Sequence, residues 1–480
     1  MVMKRWQALY LKIGMLLLAG CVMLSCAAPK QPPNFIFMLI DDMGWTDVGT
    51  FGSTFYETPN VDRLADEGMR FTNAYAACTV CSPTRAAVLT GKYPARLHIT
   101  DWIEGHKRPW AQLAVPDWTM YLPHEEITIA EALKPTGYAT VHIGKWHLGK
   151  EPFYPETQGF DRNIAGNDMG SPPSYYHPYE RGNRTIATMP PGGQDGDYLT
   201  DRLTDEAVTW IEDHQAEPFF MYFPHYAVHT PIQSKKELEE YYAGKVNPDN
   251  PQRNAAYAGM VHSTDESVGR IMETLERLDL EDNTVLVFFS DNGGLIGNNF
   301  DKPITSNVPL REGKGTEYEG GVRVPCIVKW PGNTEPGSTS DVPVIATDFY
   351  KTLLDMAGVQ PQANTGVDGL SLTPLLTQTG TLDRDALYWH YPHYHSQGAR
   401  PYSAIRKGDY RLIEYFEDGR MEMYNLANDI GETNNLIDAM PEKAHELHAQ
   451  LQAWRDEVGA QYPTKNPNFD PARETERAAR

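Results

Sequence analysis

Three stretches of the chain are apolar almost without interruption. Asn34–Ile40 reads Asn-Phe-Ile-Phe-Met-Leu-Ile, Thr284–Ser290 reads Thr-Val-Leu-Val-Phe-Phe-Ser, and residues 218–223 read Pro-Phe-Phe-Met-Tyr-Phe. An unbroken apolar run of strand length predicts a strand covered on both faces. Between these runs the pattern takes a helical period over 61–67, 201–214 and 255–278. Strands alternating with helices predict an α/β fold built on a large, doubly wound sheet. In such sheets ligands collect beyond the carboxyl ends of the strands. The first run stops at Asp41-Asp42, the second at Asp291-Asn292-Gly293-Gly294, and the third leads into His225 and His229. One oxygen-rich pair after a strand is ordinary turn chemistry. Two pairs after fully apolar strands predict a shared site.

Near residue 382 the texture changes. Short strand patterns at 387–391, 402–405, 410–415 and 421–424 are separated by turns, with Asp418-Gly419 marking a tight hairpin. An amphipathic helix is expected over 441–458. The predicted organisation is an N-terminal signal and linker over 1–33, a catalytic domain over 34–381, and a C-terminal subdomain over 382–465. That subdomain is a small antiparallel sheet with one helix, and a polar, mobile tail is expected over 466–480.

The N-terminus carries Lys4, Arg5 and Lys12 ahead of a short apolar core at 13–19, too short to span a bilayer as a stable helix. Leu18-Ala19-Gly20-Cys21 resembles a bacterial lipoprotein box, with Cys21 as the lipidated residue; Met23-Leu24-Ser25-Cys26 is a poorer candidate. An ordinary cleaved signal peptide is the alternative. Either reading exports the protein to the cell envelope, and a lipid would hold it on a membrane surface rather than through it. The formal net charge of -22 disfavours nucleic acid as a partner, so an anionic substrate needs a local cluster of cations. Five cysteines, two of them in the signal, do not make a disulfide framework. The Cys78-x-x-Cys81 spacing allows redox chemistry, but no second pair completes a zinc site.

The chemistry concentrates in Cys81-Ser82-Pro83-Thr84-Arg85, continued by Leu89-Thr90-Gly91. Ser82 suits a helix N-cap, Pro83 the first helical position and Gly91 a stop. Cys81 would then precede a helix N-terminus, where an anion is favoured and a thiol should be unusually acidic. Asp41, Asp42, Asp291 and Asn292 form an all-oxygen set that suits calcium or magnesium better than zinc or copper. Lys145 and Lys314 suit an anionic ester as point charges, and Arg85 as a fork beside position 81. Gly144, Gly313 and Gly315 flank these lysines and are expected to let backbone approach a ligand.

Cys81-x-Pro83-x-Arg85 with its continuation resembles the signature of the formylglycine-dependent sulfatases. Gly137-Tyr138-Ala139-Thr140 with Gly144-Lys145-Trp146-His147-Leu148-Gly149 resembles the second signature of that family. His229-Thr230-Pro231, Asp291-Asn292-Gly293-Gly294 and Pro309-Leu310-Arg311-Glu312-Gly313-Lys314 follow in family order, with Glu319-Gly320-Gly321 and Arg323-Val324-Pro325 behind them. The resemblance implies an alkaline-phosphatase-like fold and oxidation of Cys81 to formylglycine (3-oxoalanine) by a maturation enzyme. It also implies a calcium ion held by Asp41, Asp42, Asp291 and Asn292 together with residue 81. One hydroxyl of the hydrated aldehyde would attack sulfur. His229 would protonate the departing alcohol, and His147 would take the proton that lets the sulfate leave.

A sulfated saccharide is the expected substrate. Candidate sugar-facing segments are Asp101-Trp102, 168–179 and 390–400, all rich in aromatic, His or Pro side chains. The rival readings are a phosphoester or phosphonate hydrolase on the same fold, a silent glycan-binding surface lipoprotein, and a thiol oxidoreductase using Cys78 and Cys81.

Overall fold

In the computed structural model the described residues are 32–297, 303–361, 366–474 and 476. The first apolar run forms β1 (Asn34–Ile40), whose residues are all buried. The other strands of its sheet are β2 (Met69–Phe71), β3 (Ala139–Ile143), β4 (Arg162–Ile164), β5 (Phe219–Pro224), β6 (Thr284–Ser290), β7 (Cys326–Lys329) and β8 (Ser338–Ser340). They lie in the order β8-β2-β7-β6-β1-β5-β3-β4. The pairs on either side of β1 and out to β4 are parallel, whereas β7 runs antiparallel to both β6 and β2. The sheet is therefore mixed and mostly parallel.

Both faces of β1 are covered, which explains its missing polar positions. Phe35, Phe37 and Leu39 pack into one core with α2 (Cys81–Thr90) and α5 (Asp348–Ala357). Ile36, Met38 and Ile40 pack into a second core with α1 (Pro59–Glu67), α3 (Leu199–Asp213) and α4 (Ala255–Arg277). The result is a sheet between two helical layers.

The C-terminal part forms a four-stranded antiparallel sheet, β9 (Leu387–Tyr391), β10 (Tyr402–Lys407), β11 (Tyr410–Tyr415) and β12 (Met421–Asn425), in sequential order. α6 (Pro441–Val458) covers it. This sheet shares the first core: Leu387, Trp389, Ile405 and Leu412 belong to the same cluster as Phe37. The Trp389 indole donates to Ala76 O at 2.9 Å.

Two expectations are corrected. The helix expected to start after Cys81 begins at Cys81 itself, with Val80 in extended geometry at its N-cap and no side-chain cap. The tail from Asn466 is docked through Glu474. Thr464–Lys465 pairs with Leu113–Ala114, and buried Asn466 donates through Nδ2 to Pro109 O at 2.8 Å and Ala111 O at 2.7 Å. Cys21 and Cys26 lie outside the described residues, and no helix among those described is long and apolar enough to cross a membrane.

Candidate active site

Strand register assembles the site. Ile40 pairs with Ser290, so Asp41-Asp42 and Asp291-Asn292 leave the sheet side by side. Leu39 pairs with Pro224, which brings the segment ending at His229 to the same rim. β3 ends at Ile143 and delivers Lys145 and His147 there. The turn at Gly144 is tight: φ is +118°, and a Cβ would lie 2.0 Å from Pro224 O. Its glycine is thus required by a strand-to-strand approach, not by a ligand as expected. Gly315 is likewise packed against protein, since a Cβ there would lie 1.9 Å from His395 Nδ1.

The site residues expected from sequence converge. Lys145 Nζ donates to Asp41 Oδ2 at 2.7 Å, and Lys314 Nζ donates to Asp42 Oδ1 at 2.5 Å. Lys314 Nζ is also 3.6 Å from Cys81 Sγ. Arg85 is fully buried and its fork is taken by protein: Nε and Nη2 donate to Asp291 Oδ2 at 2.9 and 2.7 Å, and Nη1 donates to Lys145 O at 2.9 Å. It therefore orients Asp291 and Lys145 instead of presenting a free fork beside position 81. Asn292 Nδ2 donates to Asp42 Oδ1 at 2.9 Å.

Burial and charge oppose each other here. Burial pushes the Asp41 carboxyl well up, with Lys145 pulling against it. For Asp42, burial again raises, but Lys314 and His229 win and hold it below the usual carboxylate range. The expected acidity of Cys81 is not found. Burial pushes its thiol up despite Lys145 and Lys314, because the side chain is sealed from water.

Three acceptors are left over. Asp41 Oδ1, Asp42 Oδ2 and Asn292 Oδ1 are buried without a hydrogen-bond partner. Asp41, Asp42, Cys81 and His229 each offer a ligand atom within 4.8 Å of the others. Orphaned buried oxygens beside one another are what a hard divalent cation requires, so the residues fit an oxygen-ligated metal. The one soft member is the sulfur of residue 81, and an oxygen there would make that position hard as well.

The two histidines differ. His147 Nε2 donates to Ile103 O at 3.2 Å, while its Nδ1 is buried with no partner. That fixes the tautomer and leaves a basic lone pair on Nδ1. Burial holds His147 neutral, its pKa well below the ordinary value. His229 Nε2 lies 3.6 Å from Asp42 Oδ2 and keeps 16% of its side chain exposed. Burial lowers it to about 3, against the pull of Asp42. His225 faces the core against Phe223 and is not part of the site.

Several supporting residues were not legible in the sequence as such. Ser82, expected as a cap, donates to His147 O at 2.9 Å and accepts from Ile103 N at 3.1 Å. Thr79 Oγ1 accepts from Gly315 N and Thr316 N, tying the Lys314 loop to the approach to Cys81. Tyr175, a sugar-facing candidate, is buried and donates to Tyr226 O at 2.6 Å and His229 O at 2.8 Å. Tyr179, His390, Tyr391, His393 and Tyr394 are also buried. These members of the candidate segments serve as scaffold.

A sheet that gathers carboxylates, two lysines and two histidines at its carboxyl rim around a helix-borne nucleophile position suits a hydrolase of anionic esters. A family model described as Sulfatase matches residues 33–359, and one described as N-sulphoglucosamine sulphohydrolase, C-terminal, matches 313–457. A sulfatase of Formosa agariphila is 34% identical, covering 88% of this chain and 89% of its own. N-acetylgalactosamine-6-sulfatase of Sus scrofa is 36% identical over 78% of this chain and 72% of its own. The solved structure of Ps i-CgsB aligns with a TM-score of 0.76 at 29% identity, covering 92% of this chain and 95% of that one. The chain belongs to the sulfatase family and is a sulfuric ester hydrolase.

Proposed function

We propose that the protein removes sulfate from saccharides, with residue 81 converted to formylglycine and a calcium ion held by Asp41, Asp42, Asp291, Asn292 and residue 81. The observation that carries this reading is the set of orphaned oxygens on Asp41, Asp42 and Asn292 next to Cys81 and Lys314. The metal supplies positive charge to the sulfate oxygens when bound. Formylglycine at residue 81, once hydrated, would supply an attacking hydroxyl and a second hydroxyl for release of the sulfate.

The chain's own side chains do the rest. Lys145 and Lys314, now spent on Asp41 and Asp42, are within reach of an anion at residue 81 and stabilise charge as it builds on the sulfate. Three carboxylates (Asp41, Asp42, Asp291) face three cations (Arg85, Lys145, Lys314), so a divalent ion leaves the cluster net positive toward an anionic ester. His147 takes a proton on Nδ1, the nitrogen left free by its bond to Ile103. His229, at the open edge, donates through Nδ1 to Thr230 O, so it serves the departing sugar oxygen as an acid only after Nε2 has taken up a proton. Ps i-CgsB has been solved in complex with k-i-k-neocarrahexaose, and other relatives are named for N-acetylgalactosamine-6-sulfate, which supports a sulfated saccharide here. Export through the basic and apolar N-terminus, with lipidation at Cys21, is the matching reading of residues 1–33.

The test is kinetic. Protein co-produced with a maturation enzyme is expected to release sulfate from sulfated saccharides and to show higher kcat/KM on an aryl sulfate than on the matching aryl phosphate. A preference for the phosphate would support the phosphoester rival instead.

A further inference from the structure

His147 is gripped at every polar group but one. Its N–H donates to Asn167 O at 2.9 Å, its carbonyl accepts from Ser82 Oγ at 2.9 Å, and its Nε2 donates to Ile103 O at 3.2 Å. Nδ1 is left over, buried and with no partner among the described residues. The residue also stands in left-handed geometry, with φ at +57°. That conformation is costly without glycine and persists where the surroundings impose it. The chain at Gly170 closes one side of the ring, since a Cβ there would lie 2.6 Å from His147 Cε1.

Two of these bonds belong to a closed circuit. Ser82 Oγ donates to His147 O, His147 Nε2 donates to Ile103 O, and Ile103 N donates back to Ser82 Oγ at 3.1 Å. All three residues are buried, so the circuit is sealed from water. A serine at the start of a helix ordinarily turns its oxygen to the free N–H groups of that helix. Ser82 is spent instead on partners 65 and 21 residues away in the chain. It is also the residue after Cys81. The circuit therefore ties the neighbour of the nucleophile position to both the backbone and the ring of His147.

We propose that Ser82 is a positioning residue for sulfate release. It holds His147 directly through the carbonyl, and through Ile103 it fixes the ring, so that Nδ1 keeps the tautomer and the place needed to take a proton from residue 81. The proposal rests on the formylglycine reading above, in which His147 Nδ1 takes a hydroxyl proton of residue 81 as sulfate departs. His229, which serves the departing alcohol, is held by Thr230 O and lies outside this circuit. Loss of the Ser82 hydroxyl therefore falls on one half of the turnover.

The first test needs no modification of residue 81. Crystal structures of the Cys81 form are compared for wild type, Ser82→Ala and Ser82→Thr. In Ser82→Ala the His147 ring is expected to leave Ile103 O, and in Ser82→Thr, which keeps the hydroxyl, to stay. A ring unmoved in Ser82→Ala overturns the proposal. The second test uses protein co-produced with a maturation enzyme, with rates divided by the formylglycine fraction found by mass spectrometry because Ser82 lies within the signature. In rapid mixing with 4-nitrophenyl sulfate, whose good leaving group speeds alcohol release, Ser82→Ala is expected to release its first equivalent of nitrophenol at close to the wild-type rate. It should then turn over about tenfold more slowly, and Ser82→Thr should recover most of this loss. If Ser82→Ala fails to fold by its melting curve, Ser82→Cys, of similar shape and a weak donor, takes its place. Equal slowing of both halves, or none, overturns the positioning role while leaving the formylglycine reading intact. A wild type equally active with residue 81 as cysteine removes that reading and the positioning role with it.

Discussion

Among the described residues, two buried charge clusters flank the Lys314 loop, and they differ in whether their side-chain oxygens are all hydrogen-bonded. At the rim of the large sheet, Asp41, Asp42 and Asn292 keep oxygens with no partner although cations stand beside them. Behind the Lys314 loop, the second cluster is closed on all its carboxylate oxygens. Arg411 Nη1 donates to Glu319 Oε1 and Glu432 Oε1, each at 3.1 Å. Tyr75 Oη donates to Glu319 Oε2 at 2.7 Å, and Glu319 N to Glu432 Oε2 at 2.7 Å. Arg411 Nη2 donates to Glu317 O at 2.6 Å, and Arg311 Nη1 to Glu432 O at 2.9 Å. Arg311 and Glu317 bracket Lys314, so the small C-terminal sheet clamps the loop that carries this lysine to Cys81. Burial alone does not separate the two clusters, and neither does charge. Leftover oxygens separate them, because a buried acceptor without a partner is costly unless something else binds it.

That difference can be broken from either side. The largest effect is expected on the open cluster: stripping metal with EDTA should abolish sulfate release, and added calcium should restore it. Turnover unaffected by EDTA, in protein shown by elemental analysis to be metal-free, would mean that the orphaned oxygens serve some other need. For the closed cluster, Arg411→Met takes the shared cation from Glu319 and Glu432, leaving Glu319 with Arg323 and Tyr75 and Glu432 with the Glu319 amide. A loss of about 3–5 kcal/mol in unfolding free energy is expected by urea denaturation. A loss below about 1 kcal/mol would show that the clamp is slack. The smallest effect belongs to the docked tail: Asn466→Ala should cost about 1–3 kcal/mol from its two backbone contacts, with kcat on an aryl sulfate unchanged.

Much of this was legible from pattern. The unbroken apolar runs of β1 and β6 announced strands buried on both faces, and the residues after them announced the shared rim. What pattern could not give was the direction of a side chain whose type suits two roles. Tyr175 and His393 have the composition of sugar platforms but turn inward, one holding the His229 backbone and the other bonding Thr100. The Arg411 clamp joins residues remote in the chain; the available hint was a charged residue inside the apolar pattern Tyr-Arg-Leu-Ile of β11. The thiol acidity expected at a helix start failed because burial, helped by Asp41 and Asp291, outweighs the nearby lysines.

The central claim is that residue 81 works only after its sulfur is replaced by oxygen. The most direct measurement is the mass of the peptide carrying residue 81, taken alongside specific activity across preparations made with and without a maturation enzyme. The account predicts a peptide that has lost sulfur and two hydrogens and gained one oxygen, with activity proportional to its fraction. Full activity in a preparation whose residue 81 is entirely cysteine would contradict it.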